Sequence, residues 1–417
     1  MFLSRFHVKN YKCLGDIDIP LTPIHVLIGQ NDSGKTSLME AIAALYGSLQ
    51  TQVEDLFPQT CGEAISFVTL QKVMEFAGEL SPSNKDNDAQ SPAFEYGFSI
   101  QYDDQHKVCK VDSRWMNVRT SGNSGFKDRS ARIGLSAAIP VEVVADARDL
   151  LKAKHPVLRN VIGDQHNAQR NQYLQYLKTN LVPLQKYSLN PKAMKWAAAL
   201  DTRRHFRMDP DGFGLPTLLD DILGYDSALF EEIKWKFCEY FPQFTGLRLK
   251  TETGLLRHDT SGTQNSSGQT GKGIYFICDG RELAAQQASD GAILFLGILA
   301  LAHLPKPRRL LLLEEPENGI YPKRLGEIIQ LLKQVVGEED RVSFPQIILS
   351  THSPYILSFF KPEEVTLLSR SPDKPNSPVR ARPLRKVPNI HERLAGEEFY
   401  LGELWYNIEE EELFHGS

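Results

Sequence analysis

Three apolar runs organise the chain: Ile24–Ile28, Leu310–Leu313 and Gln346–Ser350. Each is short, nearly continuous in aliphatic residues, and stops at glycine or polar side chains. A run of that kind fits a strand buried on both faces, as in a parallel sheet covered by helices. Helical periodicity follows the first run, where Leu38, Ile42, Leu45 and Leu49 share one face of a helix over Thr36–Leu49. The rhythm of strand, polar motif and helix repeats after the other two runs and predicts an α/β fold. Phe2–Val8, Phe94–Ile100 and Val141–Val144 read as further strands between polar segments. Ser81–Pro92 and Ser121–Asp128, rich in Ser, Asn, Gly and Asp, read as surface loops.

Between residues 146 and 245 the pattern turns helical. Asn167–Leu181 and Phe230–Tyr240 are the clearest helices, and no heptad is sustained. The expected organisation is an N-terminal lobe over 1–145, an inserted helical arm over 146–245 and a C-terminal lobe over 246–417. Arg257–Gly273, a Ser/Thr/Gln/Gly stretch, reads as a flexible hairpin connection.

Composition narrows the class. The chain has 417 residues, 41% hydrophobic and 24% charged, as in ordinary globular proteins. No run of 18 apolar residues occurs, and Met1–His7 lacks the apolar core of a signal peptide. The five scattered cysteines read as reduced thiols of a cytoplasmic protein. The net charge of -5 argues against a nucleic-acid partner. The distribution reopens that question. Residues 152–207 hold eleven Lys and Arg against two Asp, with Tyr173, Tyr176, Tyr187, Trp196 and Phe206 interleaved. DNA binding through 152–207 is one expectation from that pattern, and docking of an acidic protein is another. Beyond a second basic stretch, Arg370–Arg393, the chain has seven acids and no Lys or Arg from Leu394 onward. That end reads as a solvated or partner-docking tail.

The chemistry concentrates where the apolar runs stop. Gly29-Gln30-Asn31-Asp32-Ser33-Gly34-Lys35-Thr36 is a complete GxxxxGK(S/T) loop between strand and helix. Its backbone N–H groups and the helix N-terminus suit the phosphates of ATP. Gly29, Asn31, Ser33, Gly34, Lys35, Thr36 and Ser37 form the candidate nucleotide-binding set, with Lys35 on the β- and γ-phosphates and Thr36 on Mg2+. Leu310–Leu313 runs into Glu314-Glu315-Pro316-Glu317. Glu314 is a candidate Mg2+ ligand and Glu315 a candidate orienter of attacking water. His352, 37 residues after Glu315 and also at a strand end, is a candidate γ-phosphate sensor.

These three motifs, in this order, resemble the ABC-type ATPases that include RecF, the structural-maintenance-of-chromosomes (SMC) heads and the overcoming-lysogenization-defect (OLD) nucleases. Phe6–Lys12 resembles their opening strand, and Glu314–Pro322 resembles the EEPENGLHP phrase of the OLD branch. Glu314 departs from the commoner Asp, and Tyr321 from the commoner His. The resemblance implies an ABC-type P-loop ATPase head with an antiparallel β lobe and an inserted helical arm. It also implies a signature segment at Gln287–Gly291, in which Ser289 and Gly291 contact ATP across a two-fold homodimer. Read from the residues alone, Ser289 is a helix N-cap. The resemblance further implies a standalone ATPase without an appended nuclease, acting beside a separate effector such as a nuclease in anti-phage defence. A RecF-like repair factor and an ATP-binding scaffold with little turnover are the alternatives.

Overall fold

The structure is a computed structural model. It describes residues 2–48, 56–57, 73–81, 93–103, 108–119, 131–135, 184–200, 205–257, 264–305, 310–337, 346–370, 377–387, 390 and 401–402. The chain divides into two compact units, one of Met1–Leu184 with Phe360–Ser417, the other of Gln185–Phe359.

The first unit opens with strands β1 (Phe2–Tyr11), β2 (Leu14–Pro20) and β3 (Ile24–Ile28), helix α1 (Lys35–Gly47), and strands β4 (Val73–Ser81), β5 (Ala93–Asp103), β6 (Val108–Arg119) and β7 (Ala131–Leu135). Six of these form an antiparallel sheet in the order β2-β1-β4-β5-β6-β7. Alternation from Arg5 to Lys9, after a register shift between Leu3 and Arg5, explains why β1 pairs there. Leu3, Phe6 and Val8 are buried, while Arg5 points to solvent and reaches Asp18 and Glu79 on the neighbouring strands. On the inner face Phe76 stacks on Phe98 at 4.8 Å, with Tyr11 edge-on to Phe76 at 5.3 Å. β3 differs: all five of its residues are buried, as its continuous apolar pattern requires.

The second unit carries β8 (Gln185–Tyr187), α2 (Pro191–Met194), β9 (Ala198–Ala199), α3 (Leu215–Tyr225), α4 (Ser227–Tyr240), β10 (Gly246–Arg257), β11 (Gln264–Cys278), β12 (Arg281–Ala284), α5 (Asp290–Ala302), β13 (Leu310–Glu314), α6 (Pro322–Gly337), β14 (Gln346–Thr351) and α7 (Pro354–Leu357). β8, β13 and β14 run parallel, in the registers Leu312↔Lys186 and Glu314↔Ser350. Helix α5 is apolar on every face and buried from Ala292 to Ala302. Phe295 on α5 meets Tyr240 and Phe241, and Phe237, Phe241, Phe244 and Phe276 extend the same aromatic core.

The chain then returns to the first unit with β15 (Val365–Ser369), parallel to β3, and β16 (Arg380–Pro383), antiparallel to β15. His25 of β3 is fully buried there, its ring bonded to Thr366 at 2.9 Å and Thr22 at 3.1 Å.

The α/β fold with an antiparallel lobe is as expected. Three expectations change. Residues 264–273 are strand, because β10 and β11 pair from Gly246↔Ile277 to Arg257↔Gln264. The described part of the stretch read as an arm supplies β8 to a parallel sheet and packs α3 and α4 on each other and on α5, inside the second unit. The thiols are not all free: Cys13, Cys238 and Cys278 are, but Cys109 is disulfide-bonded. Val141–Val144, Ser121–Asp128, Asn167–Leu181 and Glu409–Glu412 lie outside the described residues.

Candidate functional site

In the first unit, the Gly29–Gly34 loop leaves β3 and enters α1. A Cβ on Gly29 would lie 2.3 Å from both the Leu368 carbonyl oxygen and Ser33 Oγ, so only glycine fits. Asp32 (φ 61°) and Gly34 (φ 86°) adopt the left-handed conformation. That pair of turns curls the backbone ahead of the helix N-terminus, as a phosphate cradle needs. Lys35 is buried, and its ammonium donates to the carbonyl oxygens of Gly29 and Gln30, both at 2.8 Å. The Lys35 charge is thus held inside the curl of the loop. Ser33 Oγ is buried with no hydrogen-bond partner among the described residues. Asn31 and Thr36 are exposed, and half-buried Ser37 accepts from the Cys13 thiol at 3.5 Å. This loop fits a polyphosphate: a buried cation, curled backbone and free hydroxyls lie at a helix start.

In the second unit, two strand ends build the acidic cluster. Glu314 closes β13, and its Oε1 lies 3.2 Å from Lys186 Nζ on β8, close enough for an ion pair but not aligned as a hydrogen bond. Glu315 leaves the strand at φ 43°, a left-handed turn that aims the carboxylate away from the line of the sheet. Its N–H donates to the Ser350 carbonyl at 2.9 Å, which keeps the turn tied to β14. One carboxylate oxygen accepts from Asn318 Nδ2 at 2.8 Å; the other lies 3.4 Å from His352 Nδ1. Glu317 is buried. Burial pushes its carboxyl above the usual range, opposed by donors from Thr351 and the His352 backbone. Among the described residues no group of three His, Cys, Asp or Glu could hold a metal by itself. Mg2+ is commonly held by one or two protein oxygens together with substrate phosphates. Thr36 in the first unit and Glu314 in the second each carry an oxygen donor of that kind.

The segment before α5 is a formed N-cap: Ser289 Oγ accepts from the Ala292 N–H at 3.3 Å. Gly291 packs on the turn after the acids, where a Cβ would meet the Gly319 carbonyl oxygen at 3.4 Å. Asp290 is paired with Lys195 at 2.6 Å, and Lys195 also donates to the Ala288 carbonyl at 2.7 Å.

Comparison with known proteins follows the same division. The family described as "AAA ATPase domain" matches residues 1–193, and the family described as "AAA domain, putative AbiEii toxin, Type IV TA system" matches residues 187–358. An OLD nuclease of Thermus scotoductus is 23% identical over 377 residues, 89% of this chain and 62% of the relative. A solved SMC head, bound to the C-winged helix domain of ScpA, superposes with a TM-score of 0.50 at 15% identity, over 93% of this chain and 99% of that one. Each half of the chain is thus similar to an AAA-type ATPase domain, the chain as a whole is similar to the OLD nuclease, and its fold is that of the SMC heads. It spans less than two thirds of the length of the OLD relative.

Within these two sites, four contributors went unnoticed in the sequence. Glu317 and Asn318 lie in the acidic phrase and Thr351 in the histidine phrase, so their positions carried a signal but no role. Lys186 carried a misleading one. It counted toward a basic arm, yet it and Lys195 are paired with acids, and Tyr187 is buried at 1% exposure. Lys152, Lys154, Arg159, Arg170, Lys178, Arg203 and Arg204 lie outside the described residues. No helix among the described residues is long and apolar enough to cross a membrane.

Proposed function

We propose that this protein is an ATPase that hydrolyses ATP with Mg2+ and uses the cycle to regulate a separate effector. The observation that carries the reading is the fixing of Glu315. Asn318 holds one carboxylate oxygen and His352 faces the other, in a chain that also bears a complete phosphate loop. Phosphoryl transfer needs little beyond positioning and charge stabilisation. Lys35 leaves the loop carbonyls to pair with the β- and γ-phosphates, while the N–H groups of Gly29–Gly34, with Asn31, Ser33 and Ser37, line the phosphate chain. Thr36 and Glu314 are the residues that would hold Mg2+, which when bound offsets the negative charge on the transferring group. Glu315 orients the water by accepting its hydrogen bond, and His352 contacts the γ-phosphate.

The resemblance extends the proposal to assembly. Ser289 and Gly291 would meet the nucleotide of a second copy, closing a two-fold dimer only when ATP is bound. Residues 152–207 would bind DNA, or the effector would be a nuclease in anti-phage defence. Support for these steps is the family likeness and the charge pattern.

The test is Mg2+-dependent phosphate release. Wild type is expected to turn over, Lys35→Ala to lose nucleotide binding, and Glu315→Gln to bind ATP without releasing phosphate and to accumulate as a dimer. A wild type no faster than Glu315→Gln would favour the scaffold reading instead.

A further inference from the structure

The turn after β13 and the end of β14 are joined by a side chain that the reaction described above does not use. Glu317 is 8% exposed. Burying a carboxylate is costly unless donors satisfy it, so an acid kept here needs a reason beyond packing. Its Oε1 takes two donors from the β14 end, the Thr351 hydroxyl and the His352 N–H, the latter at 3.3 Å. The Thr351 hydroxyl in turn accepts from the Ser353 N–H at 2.9 Å. That occupies one of its two lone pairs, while its single proton goes to Glu317. Thr351 and His352 are thereby tied to one carboxylate oxygen, and Ser353 is tied to it through the Thr351 hydroxyl. The other oxygen, Oε2, is buried with no hydrogen-bond partner among the described residues. A buried oxygen left in this way calls for an explanation beyond packing.

Glu317 also sits in the turn that sets Glu315. Asn318 N–H donates to the Glu315 carbonyl at 3.0 Å, its side chain holds the Glu315 carboxylate, and the Ile320 N–H closes onto the Glu317 carbonyl at 2.9 Å. The imidazole thus lies 3.4 Å from Glu315 through backbone that Glu317 fixes from both sides. We propose that Glu317 is a positioning residue: its Oε1 locks the His352 backbone and thereby sets the Glu315–His352 contact. This rests on the proposed role of Glu315 and His352 in hydrolysis.

The experiment compares Glu317→Gln, Glu317→Leu and Thr351→Val in the full-length chain by steady-state ATPase kinetics and by hydrogen–deuterium exchange of the peptide spanning residues 350–356. Gln keeps an oxygen acceptor at the same distance, whereas Leu does not. The expected result is Glu317→Gln within a few-fold of wild type and Glu317→Leu lower in kcat by about 100-fold, the scale of a misplaced reactive group, with KM for ATP unchanged. Thr351→Val is expected to fall between them and to add nothing in the double variant with Glu317→Leu. Exchange over 350–356 is expected to rise in Leu and Val but not in Gln. A kcat for Glu317→Leu equal to wild type, or a Gln variant as impaired as Leu, would overturn the inference while leaving hydrolysis in place. If Glu317→Leu fails to fold, Thr351→Val decides alone, and unchanged kcat and exchange there count against the clamp. If wild type shows no turnover, the hydrolysis reading falls, and unchanged exchange in Glu317→Leu would then overturn the clamp on its own.

Discussion

At the residue scale, charges come in pairs. Lys186 is 24% exposed and Glu314 is 14% exposed at the side chain, so each carries part of its desolvation cost and offsets it with the other. Lys186→Met leaves the Glu314 carboxylate unpaired at a buried strand end. The expected loss is about 1–3 kcal/mol of unfolding free energy, measured by urea titration. Glu317 yields a pH test. Burial raises its folded-state pKa above the ordinary 4.5, so the native state binds the proton more tightly than the unfolded chain. The stability linked to that proton is fully present below 4.5 and is lost as pH rises through the folded-state value. The difference in stability between Glu317→Gln and wild type should therefore grow in favour of Gln over that window, followed by denaturant midpoints at successive pH values. These acids were visible in the sequence as a phrase. Their separate roles were not, since periodicity does not say which of three neighbouring carboxylates turns inward. The left-handed turn at Glu315 makes that choice, and it is set by the bond to Ser350 across the sheet.

At the element scale, buried strands were the most legible feature, because five consecutive buried residues leave β3 no solvent face. Their cost is the polar group they carry inside. His25 sits between Thr22 and Thr366, and burial, followed by the Arg385 charge, pushes its pKa down from 6.5 to about 3. It is neutral when folded and charges on unfolding. Its contribution is fully present above 6.5 and is lost as pH falls from 6.5 toward about 3. A His25→Phe variant is expected to show a flatter stability profile across that range, and an identical slope would count against this origin. The β10–β11 hairpin was misread because Ser, Thr, Gln and Gly carry little hydrophobic signal. Its glycines have a packing reason: Cβ atoms on Gly254 and Gly271 would sit 2.5 Å from the backbone of Ala199 and Ala198 respectively. Gly254→Val is expected to destabilise the second unit by about 1–3 kcal/mol through overpacking, read from its thermal midpoint.

At the scale of the whole molecule, the net charge of -5 said little, and the segregated +9 over 152–207 said too much. Among the described residues of that stretch, Lys186 and Lys195 neutralise Glu314 and Asp290, leaving Lys192 and Arg207 as better probes of a nucleic-acid surface. If the stretch binds duplex, Lys192→Glu with Arg207→Glu lowers affinity and flattens its salt dependence, the logarithmic slope falling by about one for each phosphate no longer neutralised. Lys195→Glu instead perturbs the Ser289 cap and is a poor DNA probe.

The position of β8 bears on how the chain can be cut. Excising 146–245, the span its helical pattern suggests, would remove the strand that flanks β13 and bare a row of backbone donors and acceptors beside Glu314. Unpaired edges of that kind recruit other chains. A shortened protein that resumes at residue 184 keeps the edge covered and should stay dispersed, whereas one that resumes at 246 should precipitate.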